Sequence, residues 1–479
     1  MKNHDHLNNK NRLNTNKLNG NKSKFNNYKI AVIGGGPAGI MAAISAAKVL
    51  SKKSPSKKER NHNAVQEIVL IEKNETLGKK LLLTGGGRCN ITNDSDLKTH
   101  LNSFGQKSSF LKPSLYNFDN KSLLKFFIDK GLDFKVENQG KVYPIDDNAS
   151  SVLKVLENYL REYNVKLLMG TLVKDIKGKD GDFEIYIKSS TQNSKKSKQM
   201  DIIRSSRVIL ATGGLSYPST GSTGDGLKFA KNSGHNLTPT MPGLVPLKVR
   251  EDWIKDLSGL KLENIGLSFR KLSKKRVFST GTVLLTHFGL SGPGILDLSH
   301  EISILNYKSN NKYVNHPNSH NSSYNSPKDS KQNKVPNIFP VELFLDLIPG
   351  KSADELRDKF NLDFSKNGKT LIKNYLKNIL PNNFIIPFLI HSDINPSTEL
   401  NQISRKEKNR LIINLKDLKI HINGLMPFKS AMITCGGVNH KDINSKTMES
   451  KLVGGMYFAG EIIEFCGLSG GYNLQMAFS

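Results

Sequence analysis

The segment Tyr28–Leu50, YKIAVIGGGPAGIMAAISAAKVL, constrains this chain more than any other stretch. An apolar run, a glycine turn at Gly34-Gly35-Gly36-Pro37-Ala38-Gly39 and an alanine-rich run follow one another without a break. This is the strand–turn–helix opening of a dinucleotide-binding fold. Gly34 permits the tight turn, Gly36 lets a pyrophosphate approach the backbone, and Gly39 lets the helix pack closely on the strand. The N–H groups at the start of that helix, helped by its dipole, would face the phosphates.

The second strand of such a unit is expected at Glu67–Glu72, EIVLIE. Its last residue, Glu72, is placed to bind the adenosine ribose hydroxyls. It lies 38 residues beyond Gly34, where about 20 beyond the motif is usual. A hydrophilic insert at 52–66 accounts for most of the excess. A carboxylate at this position disfavours a 2′-phosphate, so the tightly held nucleotide should be of the FAD or NAD type. Next comes LGKKLLLTGGGRCNITN, where Gly85, Gly86 and Gly87 make a poor helix or strand. They suit backbone laid against a flat or phosphorylated ligand, with Lys80 and Arg88 as anion partners. An apolar strand over Met200–Leu210 ends in Ala211-Thr212-Gly213-Gly214 and would bring backbone to the same nucleotide.

Elsewhere the pattern predicts helices over 110–130 and 150–163, and strands over 166–173 and 183–188. The fold class is α/β. A Rossmann-type domain over 28–240 is interrupted by a β-rich insert at 241–345 and a smaller helical insert at 346–428. It is completed by a return segment, 429–479. Residues 1–27 read as a disordered basic extension and 308–337 as a disordered Asn/Ser/Lys-rich loop.

Composition narrows the function classes. The net charge is +28, but four polar segments, 1–29, 48–67, 195–207 and 308–334, carry most of it. Basicity therefore permits an RNA partner without establishing one. No apolar run reaches membrane-spanning length and no secretory leader is evident, so a cytoplasmic enzyme without a membrane partner is expected. The three cysteines, Cys89, Cys435 and Cys466, are far apart in sequence and form no CxxC, which supports neither a metal site nor a redox dithiol.

Taken together, these blocks resemble the BaiN/YhiN-type NAD(P)/FAD-dependent oxidoreductases, the aminoacetone oxidase family of FAD-binding enzymes. The likeness rests on GGGPAG (34–39), GKKLLLTGGGRCNITN (78–93), KVYP (141–144) and ATGGLSYPSTGSTGDG (211–226). It continues through PGLVPL (242–247), THFGLSGP (286–293), AMITCGGV (431–438), TMESKLVGGMYFAGE (447–461) and GGYNLQMAFS (470–479). The resemblance implies FAD as cofactor, with Gly34, Gly36, Pro37, Ala38 and Gly39 at the pyrophosphate and Glu72 at the ribose. It implies that Gly85–Asn90, Cys89 included, and Thr212–Gly214 line the cofactor. Gly460 and Glu461 would meet its ribityl or pyrophosphate region, and Gly470, Gly471, Asn473, Leu474 and Gln475 the flavin edge. The chain departs from the family pattern at Phe465-Cys466, where an acid is expected, and Ser479 falls about two turns into the last helix.

No second strand–GxGxxG–helix unit follows, so NAD(P)H is expected to dock transiently as electron donor. Tyr217, His287 and Cys89 are the candidate proton donors for reducing an activated C=C bond. Three functions remain open. The leading one is reduction of such a bond in a small molecule. The others are reduction of uridine to dihydrouridine in ribosomal RNA, and a flavin-binding assembly factor with little turnover.

Overall fold

A computed structural model describes residues 26–53, 67–105, 107–189, 200–270, 276–311 and 338–479. The basic extension, the insert at 52–66 and the loop at 308–337 lie mostly outside these residues, but 308–311 correct the expected loop by ending the helix Pro293–Asn311, as 52–53 end the helix Pro37–Lys53. Asn26 and Asn27 nevertheless belong to the first strand, Asn26–Ile33.

The nucleotide domain is built on a seven-stranded sheet. Lys166–Leu168, Ile68–Ile71, Asn26–Ile33 and Asp201–Leu210 run parallel in that spatial order. The far edge of Asp201–Leu210 is shared. An antiparallel hairpin, Thr171–Lys179 with Asp182–Ser189, pairs along its first half, and Met456–Phe458 pairs in parallel with residues 208–210. Strands covered on both faces read as unbroken apolar runs, because each successive side chain meets a different core. Val69 and Ile71 pack into one core while Ile68 and Leu70 pack into the other, against Ile40 and Ile44 of the helix Pro37–Lys53.

Two expected elements are interrupted. The helix expected over 110–130 breaks at Phe118, and Asp119 restarts it as Asn120–Ile128 by accepting the Ser122 N–H at 2.8 Å. The strand expected over 166–173 is divided at Gly170, whose φ of +57° turns the chain, so Thr171 begins a separate strand.

The insert is a closed six-stranded barrel of Leu247–Val249, Gly289–Ser291, Arg276–Thr286, Lys261–Arg270, Val341–Asp346 and Leu418–Leu425. The last strand corrects the expected division: the helical stretch ends at Asp417, and Leu418–Leu425 closes the barrel. The helices between, including Ala353–Lys366, Asn382–His391 and Arg405–Asp417, share one core with it, which holds Phe360, Phe384 and Phe388 together with Leu343 and Ile420. Ser352–Glu355 and Ser404–Glu407 form capping boxes that start two of these helices. The chain leaves and re-enters the nucleotide domain through a two-stranded antiparallel ribbon, Leu237–Gly243 with Ile433–Val438. No helix among the described residues is long and apolar enough to cross a membrane.

Candidate active site

A cleft opens at the carboxyl ends of the parallel strands, where ligands bind in open α/β sheets. The glycine turn forms its floor. Gly34 has a φ of +110°, and a Cβ there would stand 2.4 Å from the Ala211 carbonyl oxygen. Only glycine lets the first strand pass so close to its neighbour. At Gly36 a Cβ would meet nothing within 4 Å, because this residue faces the open cleft. Pro37 and Ala38 continue that wall, and the helix they begin has no acid in its first turn to cancel its positive end. Gly39 lies behind, against Gly34, which is the packing role expected of it.

Glu72 sits at the end of its strand on the cleft wall. Its carboxylate accepts the Gly35 N–H at 2.6 Å and both the backbone and side-chain N–H of Asn74 at 2.8 and 2.7 Å. The glycine turn is thus tied to the second strand by the same acid expected to reach the ribose. Beside it, Lys73 donates to Asp225 at 2.7 Å. Burial would raise the Asp225 pKa, but hydrogen bonds from Lys73 and Thr223 hold it below the usual carboxylate range. Neither Lys73 nor Asp225 stood out in sequence, since each is an ordinary surface residue until the fold joins them.

The opposite wall carries a compact network. Glu461 accepts Lys80 Nζ at 2.8 Å, Ser216 Oγ at 2.8 Å and the Thr434 N–H at 2.7 Å. Lys80 also donates to Ser216 at 2.6 Å, and Thr434 Oγ1 accepts the N–H groups of Leu215 and Ser216 at 2.7 and 3.0 Å. Lys80, expected as an anion partner, therefore has its charge balanced by Glu461. Thr212, Gly213, Asn473 and Leu474 complete the expected residues on the cleft walls.

Other expected residues lie off these walls. Gly85, Gly86 and Gly87 form a left-handed turn with φ of +58°, +70° and +92°, reached through Thr84 on the wall. Arg88 turns outward to Glu137 and Asp147 and lies 4.1 Å over the Tyr143 ring, so it is not an anion partner in the cleft. Asn90 holds the Val142 N–H at 3.2 Å. Gly214 abuts Thr434, Gly460 abuts Ala38, and Gly470 and Gly471 form the left-handed entry to the helix Tyr472–Phe478. Gln475 is buried and bonded to Thr92 Oγ1 at 2.6 Å and the Phe118 carbonyl at 3.0 Å, a structural role rather than a cofactor contact.

The three candidate proton donors separate clearly. Cys89 is buried outside the cleft, which leaves it no route to a substrate, and burial pushes its thiol up to about 12. His287 is exposed at the barrel turn between Thr286 and Gly289. Tyr217 is half-buried just off the cleft walls, in a left-handed conformation directly after Ser216 of the Glu461 network.

The fold also assembles a cluster that chain order conceals. Cys435 and Cys466 converge on His300, with Nδ1 at 3.3 and 3.7 Å from the two sulfurs. The sequence expectation of isolated cysteines is corrected for this pair. Burial acts to lower the His300 pKa, yet its hydrogen bond to Cys466 and that residue's charge outweigh it and raise the imidazole. The hydrogen bond from Cys435 lowers Cys466 against the effect of burial.

The uncrowded backbone at Gly36, the bare helix N-terminus and the carboxylate at the strand end fit a flavin dinucleotide. Such a fold and cleft define the class of Rossmann-type FAD-dependent oxidoreductases. Residues 28–479 match the family described as HI0933-like protein Rossmann domain, and the chain belongs to that family. It is 29% identical over 454 residues to a 3-dehydro-bile acid delta(4,6)-reductase of Clostridium scindens, covering 94% of this chain and 96% of the relative. It is 26% identical over 454 residues to a ribosomal RNA dihydrouridine synthase of Haemophilus influenzae, covering 94% and 95%. Among solved structures, the 3-ketosteroid-delta4-(5alpha)-dehydrogenase of Rhodococcus jostii aligns over 96% of both chains, with 13% identity and a TM-score of 0.44.

Proposed function

We propose that this protein reduces an activated C=C bond of a small molecule, drawing electrons from NAD(P)H. The observation that carries the reading is the single continuous cleft from the Gly34–Gly36 turn to the Glu461 network. Among the described residues there is one such dinucleotide site and no separate domain for a nicotinamide cofactor, so the donor docks transiently. Gly36 and the helix start hold the pyrophosphate, Glu72 holds the ribose, and the Lys80–Glu461 pair fixes the wall beside the ribityl chain. Bound there, FAD supplies two-electron hydride chemistry. Of the three candidates we assign to Tyr217, which follows Ser216 of the Glu461 network and stands just off the cleft wall, the proton that completes reduction of the acceptor. A Tyr217→Phe variant should still be bleached by NAD(P)H but pass electrons to an acceptor at least tenfold more slowly, in line with the usual worth of a positioned proton donor, about 10²–10⁴.

A second reading, uridine reduction in ribosomal RNA, is favoured by the net charge of +28 and by the names of two relatives. More than half of that charge lies outside the described residues, which is why this reading stands second. Anaerobic bleaching by NADPH or NADH, followed by addition of enones or ribosomal RNA, separates the cases. Reoxidation by enones supports the first reading. Reoxidation by RNA that weakens steeply with salt supports the second. An absence of bleaching would leave the assembly-factor reading and overturn both.

A further inference from the structure

His300, Cys435 and Cys466 come from three separate parts of the molecule. His300 lies on the helix Pro293–Asn311 of the insert, Cys435 on the ribbon strand Ile433–Val438, and Cys466 in the loop before the last helix. Their Nδ1 and two Sγ atoms all lie within 4.8 Å of one another. A tetrahedral zinc ion with bonds of about 2.3 Å to sulfur and about 2.0 Å to nitrogen requires S···N edges of about 3.5 Å. The observed edges, 3.3 and 3.7 Å, bracket that value.

The surroundings suit the same ion. Cys435 and Cys466 are 3% and 9% exposed and pack with Leu244, Leu296 and Ile433. The nearby carboxylate of Asp297 is committed elsewhere, accepting the Ser469 N–H and hydroxyl at 2.7 and 2.9 Å. The donor set is thus two thiolates and an imidazole, which favours zinc over magnesium, calcium or manganese. The supporting helix is itself anchored: Ser299 accepts the Val245 N–H at 2.9 Å and Ser303 donates to the Pro242 carbonyl at 2.9 Å.

We propose that His300, Cys435 and Cys466 bind Zn²⁺ and that the ion clamps the barrel insert to the return segment of the nucleotide domain. Both thiols lose their protons on binding, the imidazole coordinates through Nδ1, and water takes the fourth position. No electron transfer is involved.

The test uses the flavin-loaded protein, purified in reductant without chelator. Elemental mass spectrometry should find roughly one zinc per chain, and exchange with Co²⁺ should give tetrahedral ligand-field bands to the red of the flavin absorption. Cys435→Ser and His300→Gln should each lower zinc occupancy at least tenfold while the flavin spectrum persists, and Cys89→Ser should leave occupancy unchanged. Should the cluster variants lose flavin, alkylation of the wild-type protein decides. Zinc should protect Cys435 and Cys466 together, and chelation should expose both. A wild-type protein that holds no zinc and takes up neither added Zn²⁺ nor Co²⁺ would overturn the proposal. So would a Cys435–Cys466 disulfide found by mass spectrometry in protein kept anaerobic.

Discussion

Thr434 and Cys435 are neighbours in one strand yet serve two different environments, because successive side chains of a strand point to opposite faces. Thr434 is buried behind the wall of the nucleotide cleft and joins the network there, where every named group has a partner of opposite character: Lys80 with Glu461, and amide N–H groups with the threonine hydroxyl. Cys435 turns into an apolar pocket and meets another thiol and an imidazole. The first face is a finished hydrogen-bond network that shapes a site for another molecule. The second is a set of ligand atoms whose natural completion is an ion. One strand therefore carries both the network behind the cleft and a member of the thiol cluster at the junction between domains, and the two faces are expected to break separately.

The largest effect is expected at the polar face. Glu461→Ala removes the acceptor shared by Lys80, Ser216 and the Thr434 N–H. Leaving such partly buried groups unpaired costs on the order of 1–3 kcal/mol each. FAD affinity should fall at least tenfold and the thermal midpoint should drop, as read by flavin titration and calorimetry. Thr434→Val should be milder. It keeps the strand but deprives two amide N–H groups of their acceptor, for a loss of about 1–3 kcal/mol by denaturant titration. Zinc occupancy should remain unchanged, because Cys435 faces the other way; a parallel loss of zinc would show that the faces are not independent.

A smaller effect should appear with acid. Glu464 lies two residues before Cys466 and accepts from Thr238 at 2.7 Å and from His440. Burial would raise its pKa, but the His440 and Thr238 hydrogen bonds outweigh it and bring it down to about 2. A depressed carboxylate stabilises the fold above its unfolded pKa and loses that contribution as pH falls. Stability should therefore decline between about pH 4.5 and pH 2. Glu464→Gln should flatten that part of the profile, and an unchanged acid limb would remove Glu464 from the account.

The two faces also differed in how far the sequence revealed them. The cleft was legible because Gly34–Gly39, Glu72 and Glu461 sit in contiguous motifs whose chemistry is local. Lys80 is legible as a cleft residue, but its ion pair is not, since its partner Glu461 lies 381 residues away. Arg88 was misplaced because a glycine run suggests ligand contact, whereas Glu137, Asp147 and Tyr143 draw the guanidinium outward. The thiol pair is not legible in the sequence because 30 residues lie between Cys435 and Cys466 and the third member belongs to the insert. The barrel's last strand, Leu418–Leu425, was hidden for a similar reason. Its partners Leu247–Val249 and Val341–Asp346 lie far upstream, beyond a run of helices.

The most direct test of the central claim, that this cleft holds FAD on the glycine turn, is an FAD titration of Gly36→Ala beside the wild-type protein. The added methyl points into open cleft, so the cofactor-free thermal midpoint should stay unchanged while the dissociation constant rises about tenfold or more, about 1.4 kcal/mol per decade. Wild-type affinity in the variant would contradict the placement of the pyrophosphate at Gly36, and with it the account of this site.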